Sequence, residues 1–234
     1  MFILSSLKKI VVFTGAGMSA ESGLKTFRDS NGLWEEYRIE DVATPEAWQN
    51  NKAHVLRFYN ERLKQVIEAK PNQGHLILAE LQKHFDVQII TQNIDDLHER
   101  AGSKKVLHLH GLITKMRSSI DENLIYPIKK QKIEVGDLCE KGSQLRPHIV
   151  WFGEMVPEMD NAMSIVAEAD IFITVGTSLV VYPAAGLIYH TNPMAKKYLV
   201  DPGNFEASVL QSINHIKKTA SQGLDELKKL LLSK

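Results

Sequence analysis

Only one cysteine, Cys139, occurs in the 234 residues, which excludes an internal disulfide and any metal site built from several thiolates. No stretch approaches the ~18 consecutive apolar residues of a membrane-crossing helix. The opening segment, MFILSSLKKIVVF, has no basic region ahead of a long apolar run and reads as mature sequence rather than a secretory leader. Excess charge of either sign is also missing: 28 basic residues balance 28 acidic ones. That balance argues against nucleic acid as the main partner, because phosphate backbones select basic surfaces. Hydrophobic residues make up 44% and charged residues 24% of the chain, the proportions of a globular protein with a sizeable core. A cytoplasmic monomer without membrane association is the corresponding expectation.

Strand-like and helix-like segments alternate along the chain. Residues 7–14 (LKKIVVFT) form a β-branched apolar run ending at glycines, as a buried parallel strand does. Strands are also expected at 86–91, 106–110, 170–175 and 197–200. Residues 53–70 carry Leu56, Tyr59, Leu63 and Val66 at helical spacing. Further helices are expected at 74–85, 95–101, 160–169, 184–190 and 223–232, and Thr44 before Pro45 reads as a cap and first turn. This alternation implies a mostly parallel sheet. Residues 114–146 are polar and poorly periodic and read as an inserted module.

The segment GAGMSA satisfies G-x-G-x-x-[GA] between a strand and a helix, the context of a dinucleotide loop. Gly15 would allow the tight turn, Gly17 the approach of a pyrophosphate, and Ala20 close helix packing. The helix N-terminus would present N–H groups to the anion. A dehydrogenase would continue into a second strand ending in Asp or Glu, whereas FRDSNGLWEEYRIED is no clean strand. NAD binding is therefore expected without hydride transfer. Gly176-Thr177-Ser178, Gln92-Asn93-Ile94-Asp95 and His110-Gly111 also follow strands. In a parallel sheet these ends converge on one cleft.

Together these motifs resemble the sirtuin family. GAGMSAESGLKTFR is similar to its GAGxSxxSGIPxFR signature, TQNID (91–95) matches unchanged, and HLHG (108–111), VWFGE (150–154) and GTS (176–178) follow in family order. The resemblance implies an α/β fold: a Rossmann-like parallel sheet with helices on both faces over 1–29, 80–113 and 150–234, and a small domain made of two insertions, 30–79 and 114–149. It implies NAD as co-substrate, with Ala16, Gly17, Phe27 and Arg28 at the NAD site and Gln92, Asn93, Ile94 and Asp95 in the ribose and nicotinamide pocket. Gly176, Thr177 and Ser178 would bind the phosphate and ribose side, with Asp201 and Ala220 near the adenosine. His110 would be the catalytic base, with Asn93 and Asp95 beside it, and Val150, Trp151, Phe152 and Gly153 would pair with an acylated-lysine peptide as an added strand. Imidazole suits proton removal near neutral pH.

Plainer readings apply to several of these residues. His108 and His110 share a strand face, but no third metal ligand accompanies them, which favours packing. Asp95 or Asp96 could cap the next helix. Trp34, Trp48 and Trp151 suit a core, and the IKKQK run at 128–132 a solvated surface. Ser19 and Ser22 lack the G-x-S-x-G elbow of a hydrolase nucleophile.

Tyr59 and Arg62 lie three residues apart on one helix face, and Ala43 precedes Tyr59 by 16 positions. This set resembles the desuccinylase and demalonylase branch of the family, in which Ala enlarges the pocket and Arg pairs with an acyl carboxylate. Succinyl- and malonyl-lysine, with acetyl-lysine besides, are the implied substrates. The chain departs from the family where four zinc cysteines are usual: Cys139 alone remains, Ser118 and Ser119 stand at the first pair, and no zinc is expected. The module would then be held by Ile120, Leu124, Ile125, Tyr126, Ile128 and Ile133. The usual adenosine-side Asn also gives way, in YLVDPG, to Leu199 with Asp201 nearby. Transfer of ADP-ribose to protein, or NAD binding without catalysis, are the competing readings.

Overall fold

The computed structural model describes residues 7–26, 37–206 and 211–233. Six strands form one parallel sheet: β1 (Lys9–Thr14), β2 (Asp86–Thr91), β3 (Val106–His108), β7 (Ile171–Val175), β8 (Lys196–Val200) and β9 (Asn214–Ile216), in the order β3-β2-β1-β7-β8-β9. The chain runs outward from β1 on one side and outward from β7 on the other. The order therefore reverses between β1 and β7, and ligands of open α/β sheets bind at the carboxyl ends of strands at such a switch point.

Successive residues of β1 face opposite sides, and both sides are covered. Ile10 and Val12 join the core beneath α5 (Gln73–Leu81) and α8 (Ala220–Leu232), while Val11 and Phe13 join the core beneath α7 (Met159–Ala167) and a 3-10 helix (Ala184–His190). Burial on both faces explains why the strands are continuous apolar runs. The helix α5 packs on α8 and puts Ile77 and Leu78 into the large sheet's core, whereas residues 73–79 were expected within the insertion. Its start is a capping box: Asn72 Oδ1 accepts from the backbone of Gly74 and His75, and His75 Nδ1 accepts from the Asn72 N–H.

A second core holds α2 (Ile39–Val42), α3 (Pro45–Asn50), α4 (Lys52–Glu68) and an antiparallel sheet ordered β5-β4-β6, from β4 (Gly111–Ser118), β5 (Ile125–Pro127) and β6 (Leu145–Ile149). Thr44 caps α3 as expected, its hydroxyl accepting from the Ala47 N–H at 3.1 Å. Two strands of that sheet fall within a stretch whose polar sequence hid their pairing. Asn60 on α4 clamps the module by two 2.9 Å bonds to the Ile133 backbone. Ile133 is buried and Leu124, Tyr126 and Ile128 pack on the core, but Ile120 and Ile125 are exposed and do not hold the module as expected.

At the serine turn, Ser118 Oγ lies 2.7 Å from Ser143 Oγ, which lies 3.2 Å from Cys139 Sγ. One thiol and two hydroxyls bonded to one another do not fit a structural zinc ion, which takes thiolate and imidazole ligands. These polar contacts join the module's turns instead.

Candidate active site

A cavity of about 560 Å³ opens at the carboxyl edge of the large sheet, spanning the β1/β7 switch point, and extends to the second core. Its size falls in the range of small-molecule sites. Gly15, Ala16, Gly17 and Ala20 line it after β1, Gln92, Asn93 and Ile94 after β2, and Gly176, Thr177 and Ser178 after β7. Asp201 and Ala220 line one end; Ala43, Tyr59 and Arg62 line another part, and His110 and Val150–Gly153 lie on the same cavity. Phe27 and Arg28, expected beside the phosphates, lie outside the described residues, as does Trp34.

The glycines act differently from the expectation. A Cβ on Gly15 would meet Gly176 O at 2.7 Å, and one on Gly17 would meet Gly176 Cα at 2.8 Å. Gly176 itself has φ +60°, and a Cβ there would lie 2.3 Å from Met18 N. Their smallness lets the two loops lie against each other across the switch point. The N–H groups of Gly15, Gly17, Met18 and Ser19 already bond to Val175, Gly176, Gly15 and Ala16 carbonyls. The short helix α1 (Gly17–Ala20) therefore does not offer the row of N–H groups that the motif suggested.

His110 follows β3 and is largely buried. Its Nδ1 lies 3.1 Å from the Gln92 carbonyl, which can only accept, so Nδ1 carries the proton and Nε2 is the ring's acceptor. Burial lowers its pKa and the Gln92 bond opposes that shift. Asn93 is held at three points. Its N–H donates to Thr91 Oγ1 (3.0 Å), its side-chain amide donates to Ser19 Oγ (3.1 Å), and its carbonyl lies 3.2 Å from His108 Nδ1. Asp95 departs from its expected role: it is buried behind the cavity rather than lining it. Its Oδ2 accepts from Ser19 Oγ at 2.9 Å and its Oδ1 from the Leu97 N–H at 3.2 Å, so it braces the loop and the start of α6 (Leu97–Arg100). Burial raises its pKa, opposed by these bonds and by Arg62.

Sequence reasoning missed the layer below. Thr14 and Thr91 end paired strands, and Thr14 Oγ1 donates to Thr91 Oγ1 at 2.8 Å. Having given its proton there, Thr14 accepts from Nε2 of the buried His98, 3.1 Å away. Only the register of β1 against β2 brings these groups together. Ser19, unsuited to be a nucleophile, serves in the same layer.

On the second core's side, Ala43, Tyr59 and Arg62 are all nearly inaccessible except through the cavity. Arg62 donates to the Lys25 carbonyl (3.0 Å) and to Gln65 Oε1 (3.2 Å), which fixes the guanidinium. Burial lowers its pKa, and Asp95 counteracts that. Burial also raises the pKa of Tyr59, so its phenol stays protonated and able to donate. Trp151 packs on Trp48 and Tyr59, with Arg146 3.2 Å above its ring, and Arg146 and Arg117 share Glu154. The expected strand addition is constrained, because the N–H groups of Val150, Trp151 and Phe152 already bond to His110 O, Glu154 Oε2 and Ala43 O. A peptide laid along this segment would meet mainly carbonyls.

A parallel sheet with reversed strand order and one cleft at its switch point defines a nucleotide-binding α/β protein. The chain belongs to the Sir2 family, whose model matches residues 15–183. A Bacteroides thetaiotaomicron protein named NAD-dependent protein deacylase is 53% identical, covering 97% of this chain and 99% of its own. A Helicobacter pylori protein of the same name is 50% identical, covering 94% and 96%. Among solved structures, a Sir2 homologue–NAD complex matches with a TM-score of 0.86 at 38% identity, over 97% of this chain and 90% of that one. A Sir2 mutant with deacetylated p53 peptide and 3′-O-acetyl ADP-ribose matches with a TM-score of 0.82 at 30% identity, over 96% and 94%.

Proposed function

We propose that this Sir2-family member removes succinyl and malonyl groups from protein lysines in an NAD-dependent reaction, and acetyl groups besides. NAD-dependent protein deacylation is the activity for which its relatives at 50–53% identity are named. The choice of acyl group rests on one observation: Arg62, Tyr59 and Ala43 line the same cavity as His110 and the glycine loops. A buried guanidinium held by Lys25 O and Gln65 is a cation fixed on the cavity wall. A carboxylate is the ligand that neutralises it with charge-assisted bonds, and Tyr59 adds a neutral donor. Ala43 leaves room where a larger side chain would fill the pocket.

NAD fits the cleft by its volume and by the sheet's switch point; when bound, it supplies an anomeric carbon made electrophilic by nicotinamide departure. The residues here do the rest. Gln92 holds the His110 ring in the tautomer whose Nε2 can take a proton from a sugar hydroxyl. Thr91, Ser19 and the His108 ring fix Asn93 against that hydroxyl's side of the pocket. The buried walls, Trp151 among them, restrict water. We assign the catalytic role to His110, positioning to Asn93 and Asp95, and no metal to the reaction or the module.

Mass spectrometry of succinyl-, malonyl- and acetyl-lysine peptides incubated with the protein, with and without NAD, tests this. NAD-dependent removal of succinyl or malonyl should exceed acetyl removal by roughly tenfold in kcat/KM, the margin that ~1.4 kcal/mol of differential binding supplies. Acetyl removal as the faster reaction would refute the acyl assignment.

A further inference from the structure

Both nitrogens of the His108 ring face oxygen acceptors. Nδ1 lies 3.2 Å from the Asn93 carbonyl and Nε2 lies 2.7 Å from Glu99 Oε1. A neutral imidazole has one N–H and one lone pair, so it can donate to only one of them. Its other nitrogen would then point a lone pair at an oxygen. Chain topology explains how two acceptors come to flank one ring. His108 ends β3 in register with Thr91, beside the residues that follow β2, and the short α6 brings Glu99 back to it.

Two protonation patterns remove the conflict: an imidazolium that donates twice, or a protonated Glu99 that donates to a neutral ring. The surroundings select the first. The Glu99 side chain is 40% exposed, so water reaches its carboxylate. Burial pushes its pKa up, but the contact with His108 outweighs that, Lys115 on β4 adds to it, and the pKa is lowered. The length of the Glu99 contact also matches a charge-assisted N–H···O bond, about 2.7–2.9 Å. The titratable groups whose charges reach the ring are Glu99 and His98 on α6, Asp95 just before it and His148 on β6. Burial lowers the pKa values of His98 and His148, so near neutral pH neither repels a charge on His108, and the Asp95 carboxylate favours one.

We infer that Glu99 is a positioning residue of the active site: it holds His108 as an imidazolium, and that charged ring fixes the carbonyl of Asn93. The inference rests on the reading that Asn93 works in the catalytic cavity, and adds to it a residue that does not line that cavity and a charge state. A charge-assisted bond is roughly twice as strong as a neutral one. The two histidines of HLHG then take opposite states. His110 must be neutral to accept a proton, and His108 must be charged to hold both partners. Raising the pH removes the His108 proton and one of its two bonds, so the bracing of Asn93 is complete on the acid side and lost on the alkaline side.

Nitrogen NMR of isotope-labelled histidines near neutral pH, with the His108 signals identified by their loss in His108→Gln, reads the ring directly. Both His108 nitrogens should show the shift of a protonated nitrogen. In Glu99→Gln the side-chain amide can donate to Nε2, so the ring should turn neutral and Nε2 alone should move to the unprotonated range. Kinetics read the consequence. Glu99→Leu should lower kcat roughly tenfold and leave ADP-ribose binding, measured by calorimetry, unmoved. Glu99→Gln should recover most of that loss and lack the alkaline limb that the wild-type pH profile shows. An unprotonated nitrogen in the wild-type ring, or an unmoved kcat in Glu99→Leu, overturns the inference and leaves the deacylase reading intact. A wild-type protein with both nitrogens protonated and no NAD-dependent deacylation overturns that reading instead.

Discussion

The ring of His110 hangs on the end of the neighbouring strand: its Nδ1 lies 3.1 Å from the carbonyl oxygen of Gln92. That bond settles which nitrogen accepts a proton, and burial lowers the ring's pKa. A base must be neutral to act, so activity should hold below the ordinary histidine value of about 6.5 and fall only as pH drops through the lowered one. The pH profile of kcat/KM checks this; an acidic limb above that value contradicts it. His110→Ala should cut kcat by roughly 10²- to 10⁴-fold while ADP-ribose binding, read by calorimetry, persists.

Arg62→Met should separate the substrates. Succinyl-lysine turnover should fall by about 100-fold or more in kcat/KM, as expected for loss of a buried charge-assisted pair, while acetyl-lysine turnover changes little. Because Arg62 also donates to Lys25 O and Gln65, unfolding curves should accompany the kinetics. Parallel loss of both activities in a folded variant would count against the acyl assignment.

Thr91→Val removes a hydroxyl without changing shape much. The buried Asn93 N–H and Thr14 hydroxyl then lose their acceptor, at a cost of about 1–3 kcal/mol for each buried group left unpaired. Urea denaturation should register that loss. With Asn93 less firmly held, kcat should drop roughly tenfold, with KM for NAD changing less.

Acid should destabilise the fold before carboxylates titrate. His75 and His148 have pKa values lowered to about 4 by burial, and burial holds His98 well below the usual value. Between the unfolded value of about 6.5 and the folded values, the unfolded chain binds more protons, so stability falls as pH drops through that window and levels off below it. His75 alone accounts for about 3 kcal/mol across it. Thermal midpoints measured from pH 7 to pH 5 should decline steeply; a flat profile would falsify this.

Zinc should be absent from the purified protein by elemental analysis, and a strong chelator should leave the thermal midpoint within about 1 °C, since no metal-binding energy supports the fold. The Ser118–Ser143–Cys139 contacts and the Asn60 clamp hold the module. Stoichiometric zinc, or melting by chelator, would overturn that account.

The large sheet was legible because its strands are buried on both faces and so are continuous apolar runs: DVQIIT at 86–91 has the expected bounds, and β1, β7 and β8 begin within two residues of theirs. The short β9 (NHI) carries too little apolar signal to be read. The small sheet was hidden because β4 and β5 are only partly buried and carry no continuous apolar run, and their pairing joins segments far apart in the chain.

Local sequence determined which chemical groups stand at strand ends: the glycines, Gln92, Asn93, His110, and the helical pairing of Tyr59 with Arg62. Those depend on motif spacing and on the 3.6-residue turn, which operate within a few residues. Tertiary structure decided what each group does. It placed Asp95 behind the cavity rather than in it, set Gly15 and Gly17 against Gly176, spent the N–H groups of Val150–Phe152, and aligned Thr14 with Thr91. The reason is physical: most of these hydrogen bonds and contacts join residues some 40 to 160 apart and depend on strand register and loop packing, which no local pattern encodes.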